Sequence, residues 1–233
     1  MKKILMVVSA AGSLTMKDGS EHPTGVWAEE LVVSHRKLRE AGHAVELASP
    51  GGKRPTFDEV SLSPEMAGGQ DKADEFRAYI DSIDAELSAP MALNEAEAAE
   101  YDAVVLPGGH GPMADLFQDA DLGRILREVD TAGRVIAPFC HGPAGLLSAR
   151  DQDGRFVFAG RRLTVFTNAE ELSGGTGENT PWFVETVLRE QGAQLELGGD
   201  WASHVVRDGN LISGQNPQSS GDVADEVLKA LAE

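Results

Sequence analysis

The sequence predicts an α/β protein with a mostly parallel sheet and helices on both faces. Short apolar, strand-like runs alternate with amphipathic, helix-like stretches, an order typical of such folds. At 24.7 kDa with 41% apolar residues, the chain can bury one substantial core, so we expect residues 1–233 to form a single domain. In addition, one apolar run ends in Cys140, Gly142 and Pro143, as a strand does when it turns sharply into a helix.

Apolar runs predict the strands, and stretches with a helical period predict the helices. The predicted strands cover residues 4–8, 44–48, 103–106, 135–137, more than one strand over 156–166, and a hairpin over 205–212 with Asp208-Gly209 at its turn. The predicted helices cover about 24–41, 72–87, 181–191 and 223–231. Residues 50–94 are polar and rich in Gly, Pro and acidic residues, which indicates an excursion from the sheet with one helix.

Composition argues against several classes of function. The formal charge of -18 and pI near 4.6 argue against a surface of Lys and Arg side chains that could bind nucleic acid. The apolar run after Met1 is too brief for a signal peptide or a membrane span, so no membrane partner is expected. A single cysteine forms no internal disulfide, which favours a reducing cytoplasm. The six histidines show no metal-ligand spacing such as HExxH, and the sequence predicts no catalytic metal.

Cys140 is the main candidate for a reactive group. A lone cysteine is often only a small buried hydrophobe. Here His141 follows directly, Gly142 permits a tight turn, and Pro143 suits a first helical turn, whose free N–H groups and dipole favour a thiolate. The sequence therefore predicts a nucleophilic thiol, ionised at neutral pH, at the carboxyl end of a strand.

A helical projection separates the adjacent residues Glu29 and Glu30. At about 100° per residue from Val26, Glu30 falls within the apolar arc and Glu29 falls beside Arg36. Burial should raise the pKa of such a carboxyl, which suits an acid/base group. Two alternatives stay open. Glu30 could lie at the solvent-exposed edge of the apolar arc, or it could pair with a cationic side chain. Lys37 falls in the same arc.

Two further stretches carry candidate groups. The glycine-rich turn after residue 106 contains His110, and backbone N–H groups in such a turn can hold a developing oxyanion, although many such turns have no function. The stretch over 165–171 ends in Glu170 and Glu171, either of which could orient His141. Acidic residues in this position are also common as helix caps or solvated charges.

Five motifs occur together in the chain: TGVWAEE at 24–30, PGGHGP at 107–112, APFCHGP at 137–143, FTNAEE at 166–171 and GQNP at 214–217. In combination they resemble the ThiJ/PfpI superfamily of class I glutamine amidotransferase-like proteins. Within it the chain is most similar to the branch of glutathione-independent glyoxalases and heat-inducible chaperone-like proteins. The resemblance implies a flavodoxin-like three-layer sandwich with its cysteine on a nucleophile elbow, a homodimer, and no cofactor.

The same resemblance implies the roles of the site residues. The implied catalytic residues are Cys140 as nucleophile, His141 as its neighbour, Glu30 as the carboxylate beside the thiol, and Glu171 as third member of the triad, with Glu170 as the alternative. The implied substrate and oxyanion contacts are Gly109, His110 and Trp27, together with the backbone of His141.

The activity that the resemblance implies is that of glyoxalase III. Methylglyoxal and water would become lactate through a hemithioacetal on Cys140, so the expected partner is a small aldehyde. One alternative is another cysteine-dependent hydrolase or deglycase of the superfamily, because an activated thiol attacks several electrophiles. Another is a stress chaperone or oxidant-responsive protein with little catalysis.

Overall fold

The computed structural model describes all of residues 1–233. The strands are β1 (Lys3–Val7), β2 (Ser13–Thr15), β3 (Glu21–Pro23), β4 (Ala44–Ser49), β5 (Met91–Ala92), β6 (Ala103–Leu106), β7 (Val135–Pro138), β8 (Arg162–Leu163), β9 (Gln194–Leu195), β10 (Val205–Asp208) and β11 (Leu211–Gly214). The α-helices are α1 (Ala28–Glu40), α2 (Pro64–Ala67), α3 (Gln70–Ser82), α4 (Asp84–Ser88), α5 (Ala120–Thr131), α6 (Asn168–Gly174), α7 (Val184–Glu190) and α8 (Ser220–Ala232). None of these helices has the length and apolar character needed to cross a bilayer.

Seven strands form the central sheet in the order β10-β11-β7-β6-β1-β4-β5. Neighbouring strands run parallel except β10 and β11, which form the predicted antiparallel hairpin. Counted along the chain, the segment β4-β1-β6-β7-β11 has the order 2-1-3-4-5 of flavodoxin-like folds, whose ligands bind at the carboxyl ends of the strands. The predicted α/β fold class is confirmed.

Two apolar clusters, one on each face of the sheet, make the three layers. Successive side chains of a strand point to opposite faces. Ile4 and Met6 accordingly join a cluster with apolar residues of α1 and α8, whereas Leu5 and Val7 join a cluster with residues of α5. Helices on both faces follow from this alternation in a strand whose residues 4–7 are all apolar.

Residues 156–166 differ from the prediction, because only the two-residue strand β8 forms there. Gly160 has a φ of 81° in a turn that interrupts the run. Phe156 and Phe158 are buried, with ring centroids 5.8 Å apart. The apolar residues of this segment are therefore apolar because they are buried in the core, and not because the backbone is extended.

Helix bounds also shift where the backbone has other partners. Helix α1 starts at Ala28 because the backbone of Trp27 is still extended, with a ψ of 121°, and the Val26 carbonyl accepts from the Asp58 N–H at 3.0 Å instead of from a helical N–H. The excursion over 50–94 contains three α-helices instead of one: the predicted helix breaks at Ile83, where φ is -109°, into α3 and α4, and the short helix α2 precedes them. Helix α7 begins at residue 184 rather than at 181.

Candidate active site

Cys140 occupies a strained turn directly after β7. Its φ of 55° is left-handed, a conformation that non-glycine residues seldom adopt. Its N–H donates to the Gly214 carbonyl at 3.0 Å, and its carbonyl accepts from the Phe166 N–H at 3.0 Å. The helix that follows, over Gly142–Ser148, is a 3-10 helix. These contacts fix the sulfur at the carboxyl edge of the sheet, as the predicted elbow requires.

Gly142 lets the turn pass close to β6. A Cβ at this position would lie 2.1 Å from the Leu106 carbonyl oxygen. We expect Gly142→Ala to lower the free energy of unfolding by about 1–3 kcal/mol, because the backbone must move to relieve the clash. Urea denaturation measures this change. The matched control is Gly199→Ala, since no atom lies within 4 Å of a Cβ there. Equal stability of the two variants would contradict the packing argument.

Cys140, His141 and Glu171 form a hydrogen-bonded chain. His141 Nδ1 lies 3.3 Å from Cys140 Sγ, and His141 Nε2 lies 2.6 Å from Glu171 Oε2. Burial lowers the pKa of His141, so its imidazole is neutral near pH 7. Burial acts to raise the pKa of Glu171, but the imidazoles of His141 and His110 hold it well below its usual range. An ionised carboxylate only accepts, so we assign the proton to Nε2 and the free lone pair to Nδ1, facing the thiol.

His110 is a second partner of Glu171. Its Nε2 lies 2.9 Å from Glu171 Oε1, and its ring centroid lies 4.3 Å from that of His141. Ligand atoms of the three side chains lie within 4.8 Å of one another, a spacing that a metal ion could use after both Nε2 protons are lost. Motif spacing could not indicate this cluster, because its members come from three separate segments. That catalysis uses no metal stays a prediction.

Glu30 points from the first turn of α1 into the interior, with none of its surface exposed. Its Oε2 accepts from the Gly108 N–H at 2.6 Å, while Oε1 has no hydrogen-bond partner. Burial raises the pKa of this carboxyl to about 8, against the opposing effects of the Gly108 N–H and the nearby Cys140 thiol. The helical projection thus selected the buried acid correctly, and the alternatives of a wet margin or a cation partner are wrong.

The prediction that the Cys140 thiol is ionised at neutral pH is wrong. Burial raises its pKa well above the usual value, and the Glu30 carboxylate raises it further, while the N–H groups of Gly109 and His141 oppose both effects. The residue is only 3% exposed. A short 3-10 helix does not offset this loss of hydration. The resting thiol keeps its proton and must transfer it before it can attack.

A narrow cavity of about 30 Å³ opens onto the sulfur. Its wall includes Trp27, Gly109, His110, His141, Phe166 and Trp201. Trp27 and His110, both predicted to lie beside a substrate, each contribute a buried ring nitrogen without a partner, Nε1 and Nδ1 respectively. A space of this size accommodates only a molecule of a few non-hydrogen atoms.

Glu170 and Glu171 have different surroundings. Glu171 contacts His141, whereas Glu170 forms a capping box with Thr167 at the start of α6 and is fully buried. Glu170 Oε1 also accepts from the Trp201 N–H at 2.8 Å. Of the two acidic residues, Glu171 is therefore the one placed to orient His141, whereas Glu170 is a helix-capping residue. Trp201 was not anticipated, because nothing local in the sequence signals that it reaches the cavity.

Comparison with known families identifies the chain. The model for the DJ-1/PfpI family matches residues 23–230. The chain belongs to the DJ-1/PfpI family. The family resemblance predicted from the five motifs is thereby confirmed.

Relatives within the DJ-1/PfpI family match nearly the whole chain. It is 30% identical to "Glutathione-independent glyoxalase HSP31" of Saccharomyces cerevisiae and 28% identical to "Glyoxalase 3" of Candida albicans, in each case over 99% of this chain and 98% of the relative. It is similar to the crystal structure of glyoxalase III from Candida albicans, with a TM-score of 0.82 and 25% identity, covering 98% of this chain and 97% of the other.

Proposed function

We propose that this protein is a glutathione-independent glyoxalase that converts methylglyoxal and water into lactate. The observation that carries the proposal is a thiol in the wall of one small cavity, with a neutral imidazole beside it and a buried carboxyl of raised pKa next to the thiol. The glyoxalase names of full-length relatives support it. The reaction is an internal redox change between two neighbouring carbons followed by hydrolysis, so it consumes no redox cofactor.

The first step is addition of sulfur to the aldehyde. Cys140 gives its proton to His141 Nδ1, and the sulfur forms a bond to the aldehyde carbon C1. His141 returns the proton to the aldehyde oxygen, which completes a neutral hemithioacetal. The N–H groups of Gly109 and His141 stabilise the oxyanion before that proton arrives, and Glu171 stabilises the transient imidazolium.

Glu30 carries out the isomerisation that follows. Its carboxylate removes the C1 hydrogen as a proton, and the electron pair moves onto the C2 oxygen to form an enediol-like species. The proton returns at C2 and a second proton passes from the C1 oxygen to the C2 oxygen, which leaves a lactoyl thioester. Water then attacks the thioester, the C–S bond breaks, and sulfur recovers its proton as lactate leaves.

The direct test is incubation with methylglyoxal in the absence of glutathione and metal ions, with identification of the product by NMR. Stoichiometric lactate supports the proposal, and unchanged methylglyoxal contradicts it. In deuterium oxide the product's C2 hydrogen reports whether the proton exchanged with solvent while it was held by Glu30.

Turnover should increase as pH rises through about 8. Glu30 accepts a proton only when ionised, and burial raises its pKa to about 8. The raised pKa of Cys140 acts in the same direction, because thiolate formation also becomes easier at higher pH. A kcat profile between pH 6 and 9.5 checks the sign. A rate that is constant or falls over this range would contradict Glu30 as the base.

Deglycation is the second candidate function. The chain is 28% identical to "Protein/nucleic acid deglycase HchA" of Pseudomonas aeruginosa over 100% of this chain and 81% of that protein. The same thiol could attack glycated amines. Release of free amine from a glycated peptide, measured after free methylglyoxal has been removed, separates this activity from glyoxalase turnover.

We further propose that residues 1–233 form a single domain, that the protein is a homodimer, and that it acts in the cytoplasm. A sole cysteine, Cys140, is suited to a reducing compartment. Light scattering after size exclusion tests the dimer, and subcellular fractionation tests the location.

A further inference from the structure

A buried polar cluster, which the chemistry above does not use, fixes the loop before β10. Its members Glu170, Gln215 and Asn216 are fully buried, and we call them the carboxamide clamp. Glu170 Oε1 accepts from Asn216 Nδ2 at 2.8 Å and from Gln215 Nε2 at 3.3 Å. The same amides donate to the Ala202 carbonyl at 2.8 Å and to the Gly199 carbonyl at 3.1 Å. The clamp therefore joins α6 and the end of β11 to this loop.

The clamp holds Trp201 in a conformation that tryptophan rarely adopts. Its φ is 58°, and its N–H donates to Glu170 Oε1 at 2.8 Å. The indole packs edge-on against Phe166 with ring centroids 5.5 Å apart. It also lies over Gly174, where a Cβ would come within 2.6 Å of the indole Cζ2. The positive φ of Trp201 directs the indole into the cavity wall, and Gly174, which has no side chain, leaves room for the ring there.

We propose that Trp201 sets the upper size limit of the electrophile that reaches Cys140, and that the carboxamide clamp positions it. The indole is a rigid wall because its backbone and its packing surface are both fixed. Its consequence for substrates rests on the proposed glyoxalase function: the site would select 2-oxoaldehydes with a substituent as small as methyl and exclude those with an aromatic one. The FTNAEE and GQNP motifs thereby gain a common role.

Trp201→Gly is the sharpest variant. Glycine adopts positive φ without strain and keeps the N–H that Glu170 accepts, so the loop retains its conformation while the indole is lost. Glu170→Gln weakens the acceptor shared by the N–H groups of Gln215, Asn216 and Trp201. It tests the clamp because Glu170 does not line the cavity. Trp182→Ala is the matched control, since Trp182 packs against Phe117 at 5.4 Å and does not line the cavity.

Because Cys140 is the only cysteine, alkylation reports access to it without any assumption about catalysis. Iodoacetamide and iodoacetanilide share one reactive carbon and differ by a phenyl group. We expect Trp201→Gly to raise the ratio of their rates, iodoacetanilide over iodoacetamide, at least about tenfold. Glu170→Gln should raise the ratio by a smaller factor, and Trp182→Ala should leave it unchanged. Turnover of phenylglyoxal relative to methylglyoxal should follow the same order.

The outcomes separate this inference from the proposed function. If no aldehyde is consumed by any variant but the alkylation ratio rises as expected, Trp201 limits access and the glyoxalase proposal fails. If methylglyoxal gives lactate but the ratio is equal in wild type and Trp201→Gly, the size limit is overturned. Should Trp201→Gly fail to fold, an unchanged ratio in folded Glu170→Gln overturns the proposal by itself.

Discussion

Cys140→Ala should reduce conversion of methylglyoxal to lactate by at least about a thousandfold, because the covalent route has no other nucleophile. The thiol is buried and alanine is smaller, so the variant should fold with the same circular dichroism as wild type. Lactate measured by an enzymatic assay over several hours gives the required sensitivity.

The same variant discriminates the non-enzymatic alternative. Suppression of the aggregation of a heat-denatured client protein does not need a nucleophile, so Cys140→Ala should retain it if the protein is a chaperone. Retained suppression together with no lactate from wild type would favour the chaperone alternative. Lactate production by Cys140→Ala equal to that of wild type would reject covalent catalysis altogether.

The features that could be predicted from sequence are those fixed by local geometry. An apolar run followed by Cys140 and Gly142 predicts a sharp turn at the end of a strand. The structure has that turn, and in it Cys140 adopts a φ of 55°. The position of Glu30 followed from helical periodicity alone, since one face of α1 must meet the sheet. The fold class followed from the alternation of strands and helices in the same way.

The features that could not be predicted depend on packing between distant segments. His110 and Glu171 are 61 residues apart, and their contact depends on where the loops after β6 and β8 meet. The raised pKa of Cys140 reflects burial by several elements, which outweighs the local helix terminus from which a thiolate was expected. Trp201 reaches the cavity through a clamp built from two other segments, so its own neighbours in sequence give no signal.

Glu30→Gln should lower methylglyoxal turnover by about 10²–10⁴-fold, the range expected for loss of a general base. Its amide oxygen can still accept from the Gly108 N–H, so the local packing is kept. The reaction of Cys140 with iodoacetamide should persist, because that reaction needs no proton transfer at carbon. Normal lactate production in this variant would reject the proposed proton transfer.

Glu30→Gln should raise the free energy of unfolding of the protein although it lowers methylglyoxal turnover. The pKa of Glu30 rises from 4.5 to about 8 on folding, so the folded state holds a proton that the unfolded chain releases between these values. The wild-type carboxyl therefore adds no penalty below pH 4.5, costs increasing free energy as pH rises towards 8, and costs a constant amount above it. Glutamine does not ionise, so Glu30→Gln should be more stable than wild type at pH 8.5 by at least about 1 kcal/mol, with the difference shrinking towards pH 5. Urea denaturation at both pH values measures this. A less active and more stable variant would mean that Glu30 is kept buried for its chemistry, at the expense of the fold.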